Sequence, residues 1–117
     1  MSSEYREVFP GVSARILYCS SDAVAVEEFL KAGSSVPMHR HEGVQFTIVL
    51  WGALSLEFEG GSRTLLSGGS YAVIPPGVGH SAVALEDTLV IDINAPLTSD
   101  RMPLVEKLGG CPGLRGD

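Results

Sequence analysis

The sequence has little of what would attach a protein to a membrane or to nucleic acid. No apolar run approaches the roughly 18 residues that a membrane-spanning helix needs. Eight lysines and arginines stand against fourteen aspartates and glutamates, so the formal net charge is −6, and no basic run offsets it locally. Such a chain has no general attraction to phosphate backbones or anionic lipids. We therefore expect neither nucleic acid nor a membrane as a partner.

Cysteine is also scarce, and the N-terminal residues lack the apolar segment of a secretory signal. We therefore expect a cytoplasmic protein. Cys19 and Cys111 stand at a spacing that matches no zinc or redox motif. Cys19 falls in a strand-like run, where a small buried thiol is expected, and Cys111 falls in a glycine-rich tail. A bridge between them stays open, but a reducing compartment disfavours it.

The chain does have enough apolar residues for one folded domain. Hydrophobic residues make up 44% of its 117 residues, so a core can form without structural staples. Apolar and polar residues alternate with period two in short bursts separated by glycine and proline, which is typical of an all-β sandwich or barrel. The predicted strands span residues 12–19, 23–31, 36–41, 45–51, 54–58, 63–66, 70–74, 81–85 and 88–93.

A helical pattern occurs only near the C-terminus, in residues 98–108. Ser99 or Asp100 could cap a short helix that ends at Gly109. We interpret this helix as an appendage to the domain, and residues 109–117 as a mobile tail.

All three histidines of the chain fall in one spaced pattern. His39 and His41 lie two residues apart on a predicted strand, so their side chains share one face, while Met38 and Arg40 face outwards. Imidazole is the commonest ligand for first-row divalent metals. A metal site would require Gln45 and His80 to converge on the same point. The pattern is Gly33, His39, His41, Gln45 and Gly52, followed by Gly69, Pro75, Gly77 and His80.

These two glycine-led strings resemble the two motifs of the cupin superfamily. The first matches in spacing, with Gln45 where glutamate is usual, and the second departs at Ala84, where asparagine is common. The resemblance implies a double-stranded β-helix, or jelly-roll barrel, forming a single domain with its core at about residues 8–96 and a tail at 97–117. It also implies that His39, His41, Gln45 and His80 bind a divalent transition metal, whether Zn, Ni, Mn, Fe or Cu.

Gln45 is the most informative departure. A glutamate would cancel one charge of the metal, whereas an amide oxygen is neutral. An ion that keeps its full charge is a stronger Lewis acid towards a carbonyl or hydroxyl oxygen. This favours isomerase, lyase or ring-opening chemistry on a small oxygenated substrate, such as a sugar acid. A metal-dependent dioxygenase and a non-catalytic module that binds a small ligand remain as alternatives.

One subgroup is similar in size, in the glutamine ligand and in its last strand: the single-domain cupins of pectin and alginate breakdown that linearise unsaturated uronates. Residues 71–76 and 83–86 resemble the turns on either side of that subgroup's last histidine, and residues 89–92 resemble its final strand. Two positions differ, because Asn94 replaces an aromatic residue and Thr98 replaces an arginine for the substrate carboxylate.

The remaining site predictions come from strand alternation and sequence neighbourhood. Asp92 and Asn94 share one face of the last strand, which makes Asp92 the candidate catalytic acid or base and Asn94 a pocket residue. Phe46 is a further pocket candidate because it follows Gln45. We interpret Glu27, Glu28, Glu57 and Glu59 as a solvated face. Residues 5–9 suit pairing between two barrels, so we expect a homodimer.

Overall fold

Ten strands form two antiparallel sheets in the computed structural model, which describes residues 4–111. The strands are β1 (Arg6–Phe9), β2 (Val12–Cys19), β3 (Val24–Leu30), β4 (Ser35–His39), β5 (Val44–Trp51), β6 (Ala53–Phe58), β7 (Arg63–Ser67), β8 (Tyr71–Ile74), β9 (His80–Ala84) and β10 (Thr88–Ala95). The all-β prediction is confirmed, and each predicted strand is present with its ends shifted by at most two residues. The first sheet has the order β1-β2-β3-β10-β5-β8 and the second β4-β9-β6-β7.

The main core lies between the two sheets, as strand alternation requires. On β6, Leu54 and Leu56 face inwards and are each 2% exposed, while the residues between them are less buried. They pack with apolar side chains of the opposite sheet, including Leu30, Val49 and Val90. The two sheets therefore face each other across one apolar core, as in the jelly-roll barrel that the resemblance implies.

Gly52 shows why a motif glycine stands at the turn between β5 and β6. Its φ of +98° lies in the left-handed region, and a Cβ built there would fall 2.4 Å from the carbonyl oxygen of Asp87. A larger residue would clash with backbone as well as strain the turn. The turn sets the start of β6 and so the register of the strand that pairs with β9.

The C-terminal segment, defined here as residues 98–111, is part of the fold and not an appendage. A 3-10 turn at Ser99–Arg101 leads into helix α1 (Met102–Lys107), and neither Ser99 nor Asp100 is the helix cap that we predicted, because α1 starts after Arg101. Val105 is fully buried and Leu108 is 9% exposed, and both pack in a second core cluster with Ala14, Val24 and Val26. The predicted mobile tail lies mostly outside the described residues.

A disulfide bond joins Cys19 to Cys111 and corrects the expectation of two free thiols. The Cα atoms are 5.4 Å apart, well inside the range that a disulfide can bridge. Folding of α1 onto β2 and β3 brings the two residues together across a sequence separation of 92. Disulfides are more typical of oxidising compartments, and the cytoplasmic location stays a prediction.

The leading segment pairs within its own chain. β1 runs antiparallel to β2 at the edge of the first sheet, with Arg6 opposite Ala14. The edge that we expected to be covered by a second barrel is thus formed by β1 itself, and the homodimer stays a prediction. Among the described residues, no helix is long and apolar enough to cross a membrane.

Candidate metal centre

The three histidines converge inside the barrel, in what we call the histidine cluster (His39, His41 and His80). One ring nitrogen from each lies within 4.8 Å of the other two. His39 ends β4 and is the register partner of His80 at the start of β9, while His41 follows two residues later. His41 and His80 are 7% and 2% exposed. The spacing of the nitrogens suits one ion bound by all three side chains.

In each of the three histidines, a hydrogen bond between Nδ1 and an oxygen atom orients the imidazole ring. His39 Nδ1 lies 2.7 Å from the carbonyl oxygen of Pro37, and His80 Nδ1 lies 3.0 Å from that of Val78. His41 Nδ1 lies 3.2 Å from Asp100 Oδ2. Because only a protonated Nδ1 can donate to these oxygens, the lone pair of each neutral ring resides on Nε2. Ligating histidines in metalloproteins are fixed in this manner.

The Nε2 atoms supply the test of whether a metal fits. His80 Nε2 is buried and has no hydrogen-bond partner among residues 4–111. A buried acceptor without a partner costs free energy, which a bound cation would recover. His41 Nε2 accepts from Arg101 Nη1 at 3.3 Å. Because a ring nitrogen has one lone pair, a metal at His41 Nε2 would take the place of that hydrogen bond. With that exchange, the donor set of three imidazole nitrogens fits a borderline transition metal.

Burial favours the neutral form of two of these rings, those of His41 and His39. It lowers the pKa of His41 to about 4, and the positive charge of Arg101 adds to the effect. Burial also lowers the pKa of His39, against the hydrogen bond to Pro37. Since a metal competes with protons for the imidazole nitrogen, neutral rings at physiological pH are ready to ligate.

Gln45 lies on the same cavity and is 5% exposed. Its Nε2 donates to Thr47 Oγ1 at 3.0 Å and to Asp92 Oδ1 at 3.3 Å. Its Oε1 accepts from Asn94 Nδ2 at 3.2 Å. Both amide hydrogens are thus occupied, while the carbonyl oxygen keeps a second lone pair. The network holds the amide in one orientation.

Asp92 lines the cavity, on the face that strand alternation predicted. One of its oxygens, Oδ1, accepts from Thr47 Oγ1 at 2.7 Å. Glu28 approaches from the neighbouring strand, since its register partner on β10 is Val90. Burial, the charge of Asp92 and a hydrogen bond to it raise the pKa of Glu28 well above its usual range. Glu28 therefore lines the cavity beside Asp92 and is not part of a solvated face.

The other three glutamates that we grouped with it lie elsewhere. Glu27 bonds Arg15 Nε at 2.8 Å, and Glu59 bonds Arg40 Nη2 at 2.9 Å. The Arg40 and Glu59 side chains are 57% and 54% exposed, so the outward placement of Arg40 is confirmed. Glu57 is half-buried on β6, opposite Arg63 in register.

Arg101 is the site residue that the sequence reading missed. It lines the cavity from the C-terminal segment, and its Nε is buried with no hydrogen-bond partner in the described chain. Burial lowers the pKa of Arg101, while Asp92, Glu28 and Asp100 oppose that shift. The result is a guanidinium beside the histidine cluster. No motif marks it, because its position depends on how α1 packs.

Two predicted pocket residues lie elsewhere. Phe46 is 37% exposed and points away from the cavity, because consecutive strand residues face opposite sides and Gln45 faces in. Asn94 is 1% exposed and lies behind Gln45, to which it donates, without lining the cavity itself. Sequence adjacency was the wrong criterion for Phe46. Asn94 is on the predicted face but is covered by a larger side chain.

Comparison with known proteins agrees with this architecture. The family model described as a cupin domain matches residues 26–93, which include every member of the histidine cluster. The chain belongs to the cupin family. No curated protein matches it.

Among solved structures, this cupin is similar to KdgF from Halomonas sp., with 36% identity and a TM-score of 0.76 over 83% of this chain and 89% of that one. It is also similar to an RmlC-like cupin from Shewanella frigidimarina, with 24% identity and a TM-score of 0.77 over 84% and 87% of the two chains. Bacillus subtilis oxalate decarboxylase, a protein with Mn(II) centres, shows 21% identity and a TM-score of 0.71 over 85% of this chain and 29% of that one. The last two likenesses concern the fold alone.

Proposed function

We propose that this cupin is a metal-dependent enzyme that acts on a small oxygenated carboxylic acid. His39, His41, His80 and Gln45 would hold a divalent transition ion. The observation that carries the proposal is the convergence of one ring nitrogen from each of the three histidines, together with a His80 Nε2 that is buried without a partner in the described chain. When bound, such an ion supplies Lewis acidity to a substrate oxygen.

Gln45 favours this chemistry over oxygen activation. Its amide oxygen would add a neutral fourth ligand, so the ion would keep its charge. The amide hydrogens are taken by Thr47 and Asp92, while the carbonyl oxygen accepts from Asn94 and keeps a second lone pair for a metal. The same contacts connect the fourth ligand directly to the candidate acid or base.

Asp92 and Arg101 are the groups of this chain that would handle the substrate. Asp92 accepts hydrogen bonds on Oδ1 from Thr47 and Gln45, and Glu28 donates to the same carboxylate. A carboxylate held in this way can take a proton from a carbon or hydroxyl of the substrate and return it. Arg101 would pair with the substrate carboxylate, for which a guanidinium is well shaped.

Sugar acids are one class of substrate for this site. The resemblance to the uronate-linearising cupins and the 36% identity to KdgF both support that class. Thr98 occupies the position where that subgroup has an arginine, and Arg101 brings a guanidinium to the cavity from three residues further along. Isomerisation, elimination and ring opening all require a polarised oxygen and a mobile proton, which this set of residues can serve.

Elemental analysis of protein purified without a histidine tag tests the proposal. We expect about one equivalent of a transition metal in the wild type and less than about a tenth in His80→Ala. Arg40→Ala is the matched control, because Arg40 lies between two ligands in sequence yet bonds the exposed Glu59. A wild type that holds less than about a tenth of an equivalent, with no gain after incubation with Zn, Mn, Ni, Fe or Cu, contradicts the proposal. Oxygen uptake on addition of substrate would instead support a dioxygenase.

A further inference from the structure

The cavity beside the histidine cluster is lined by two unlike sets of side chains, one polar and one apolar, which we call its two walls. Its volume is about 430 Å³, which is large enough for a small organic acid. One wall carries the histidines, Gln45, Asp92 and Arg101. The other is hydrocarbon and is contributed by five different strands: Leu30, Val36, Leu54, Leu56, Ala82 and Val90. A ligand that fills this cavity must contact both walls.

Most of the polar groups on the first wall are already engaged. The Nδ1 atoms of all three histidines donate to oxygens, and both amide hydrogens of Gln45 are taken. The Thr47 hydroxyl donates to Asp92, and Arg40 bonds the carbonyl of Gly77 and the carboxylate of Glu59. Arg101 Nε is buried without a partner among residues 4–111, and the carboxyl groups of Asp92 and Glu28, although bonded to each other, keep acceptor capacity for an organic ligand. They can serve a carboxylate and one or two hydroxyls.

A fully hydroxylated sugar acid would need more hydrogen-bond partners than this site offers. It carries a hydroxyl on nearly every carbon, and each one that is buried without a partner weakens binding. The apolar wall can provide no such partner, but it does reward the burial of hydrocarbon. The number of available hydrogen-bond partners thus distinguishes a hydroxylated acid from an acid of the same length and charge that has a hydrocarbon chain.

We propose that the substrate is a short carboxylic acid with an oxygen on the carbon next to the carboxylate and a hydrocarbon remainder. The carboxylate pairs with Arg101, the neighbouring oxygen faces the histidine cluster, and the remainder lies against Leu54, Leu56 and Val36. This inference rests on the proposed function for the first two contacts. The third contact, between the hydrocarbon remainder and the apolar side chains, is independent of the proposed function.

Calorimetric titration of the metal-loaded wild type with two matched acids tests the preference. The probes are 2-hydroxyhexanoate and gluconate, which have the same number of carbons, the same charge and the same 2-hydroxy carboxylate head. They differ only in the four distal hydroxyls. We expect a dissociation constant at least about tenfold lower for 2-hydroxyhexanoate. Equal affinity, or tighter binding of gluconate, overturns the inference and leaves a sugar acid as the substrate class.

A pair of near-isosteric variants tests where the remainder lies. Val36→Thr places a hydroxyl on the apolar wall, whereas Val83→Thr makes the same change on the outer face of β9, where Val83 is 40% exposed. The ratio of the dissociation constants for gluconate and 2-hydroxyhexanoate should fall several-fold in Val36→Thr and stay unchanged in Val83→Thr. An unchanged preference in both variants overturns the inference. Thermal melting of each variant shows whether it is folded.

Metal content measured on the same samples separates the two proposals. Samples without metal contradict the proposed function, and the ratio of the two affinities is still read from the titrations. Samples that hold metal but bind gluconate as well as 2-hydroxyhexanoate contradict only the inference drawn here. Samples that hold metal and bind neither acid also overturn it.

Discussion

The barrel strands and the C-terminal segment both reach His41, but they do so in different ways. The strands position the histidine cluster itself, through the register of β4 with β9. The C-terminal segment contacts both nitrogens of His41, with Asp100 at Nδ1 and Arg101 at Nε2. One region therefore supplies the ligand atoms, and the other sets the direction and surroundings of one ligand.

The difference is one of how each region is held. Backbone hydrogen bonds to two neighbouring strands fix β9, on both of its edges. The C-terminal segment has a short helix, two buried apolar side chains and the disulfide from Cys111 to Cys19. A helix of this length is unstable without tertiary contacts. The segment can thus be loosened separately, which gives a means of testing what each region contributes.

Removal of the disulfide should have the largest effect. Cys111→Ser, or reduction of the wild type, should lower the free energy of unfolding by about 2–4 kcal/mol, since the bond closes a long loop. Thermal or urea unfolding with and without reductant measures it. We expect metal content to stay near that of the wild type, because all proposed ligands are on or beside barrel strands. Identical unfolding curves with and without reductant would show that the disulfide does not stabilise the fold.

The parts of the molecule that follow local rules could be predicted from the sequence. Strand positions came from period-two alternation, and the histidine cluster came from two short spaced motifs. The same alternation placed Asp92 on the inner face. Glu28 was within reach of this rule, because Val24, Val26 and Leu30 are all buried on its face of β3. The grouping of Glu28 with Glu27, Glu57 and Glu59 as a solvated face overlooks that neighbours on a strand face opposite sides.

The C-terminal contribution depends on contacts between residues far apart in the chain. Asp100 and Arg101 reach His41 over sequence separations of 59 and 60. No period or motif in residues 98–111 indicates which strands α1 will pack on. The pairing of Cys19 with Cys111 depends on the same docking. Local sequence patterns could not predict this docking, because it depends on how α1 packs on the second core cluster.

Loss of the Asp100 carboxylate should weaken metal binding without removing it. In Asp100→Ala the Nδ1 of His41 loses its acceptor, and loss of such an orienting partner costs about 10–100-fold in metal affinity. Competition with a chelator of known affinity measures the change. Asp100→Asn keeps an acceptor oxygen and should recover most of the loss, while Glu106→Ala removes the same charge from an exposed position of α1. Equal losses in Asp100→Ala and Glu106→Ala would show that only the net charge matters.

Glu28→Gln should give the smallest effect, a gain of stability that depends on pH. Burial raises the pKa of Glu28 in the folded protein above its unfolded value, so its contribution is fully present below about pH 4.5 and is lost as the pH rises towards the folded value. Glutamine keeps a donor for Asp92 and has no proton to lose. The variant should therefore melt a few degrees above the wild type at neutral pH, with the difference vanishing near pH 4.

The neighbouring residue offers a control of opposite sign for that measurement. The hydrogen bond from Tyr5 and the pairing with Arg15 lower the pKa of Glu27, so its contribution is present above its unfolded pKa and is lost in acid. Glu27→Gln should melt below the wild type at neutral pH. The two regions meet at Glu28, since Arg101 of the C-terminal segment attracts its carboxylate and partly offsets the raised pKa. In an Arg101→Gln background the gain from Glu28→Gln should grow, and a gain that stays the same would mean that the two regions are not coupled through this charge.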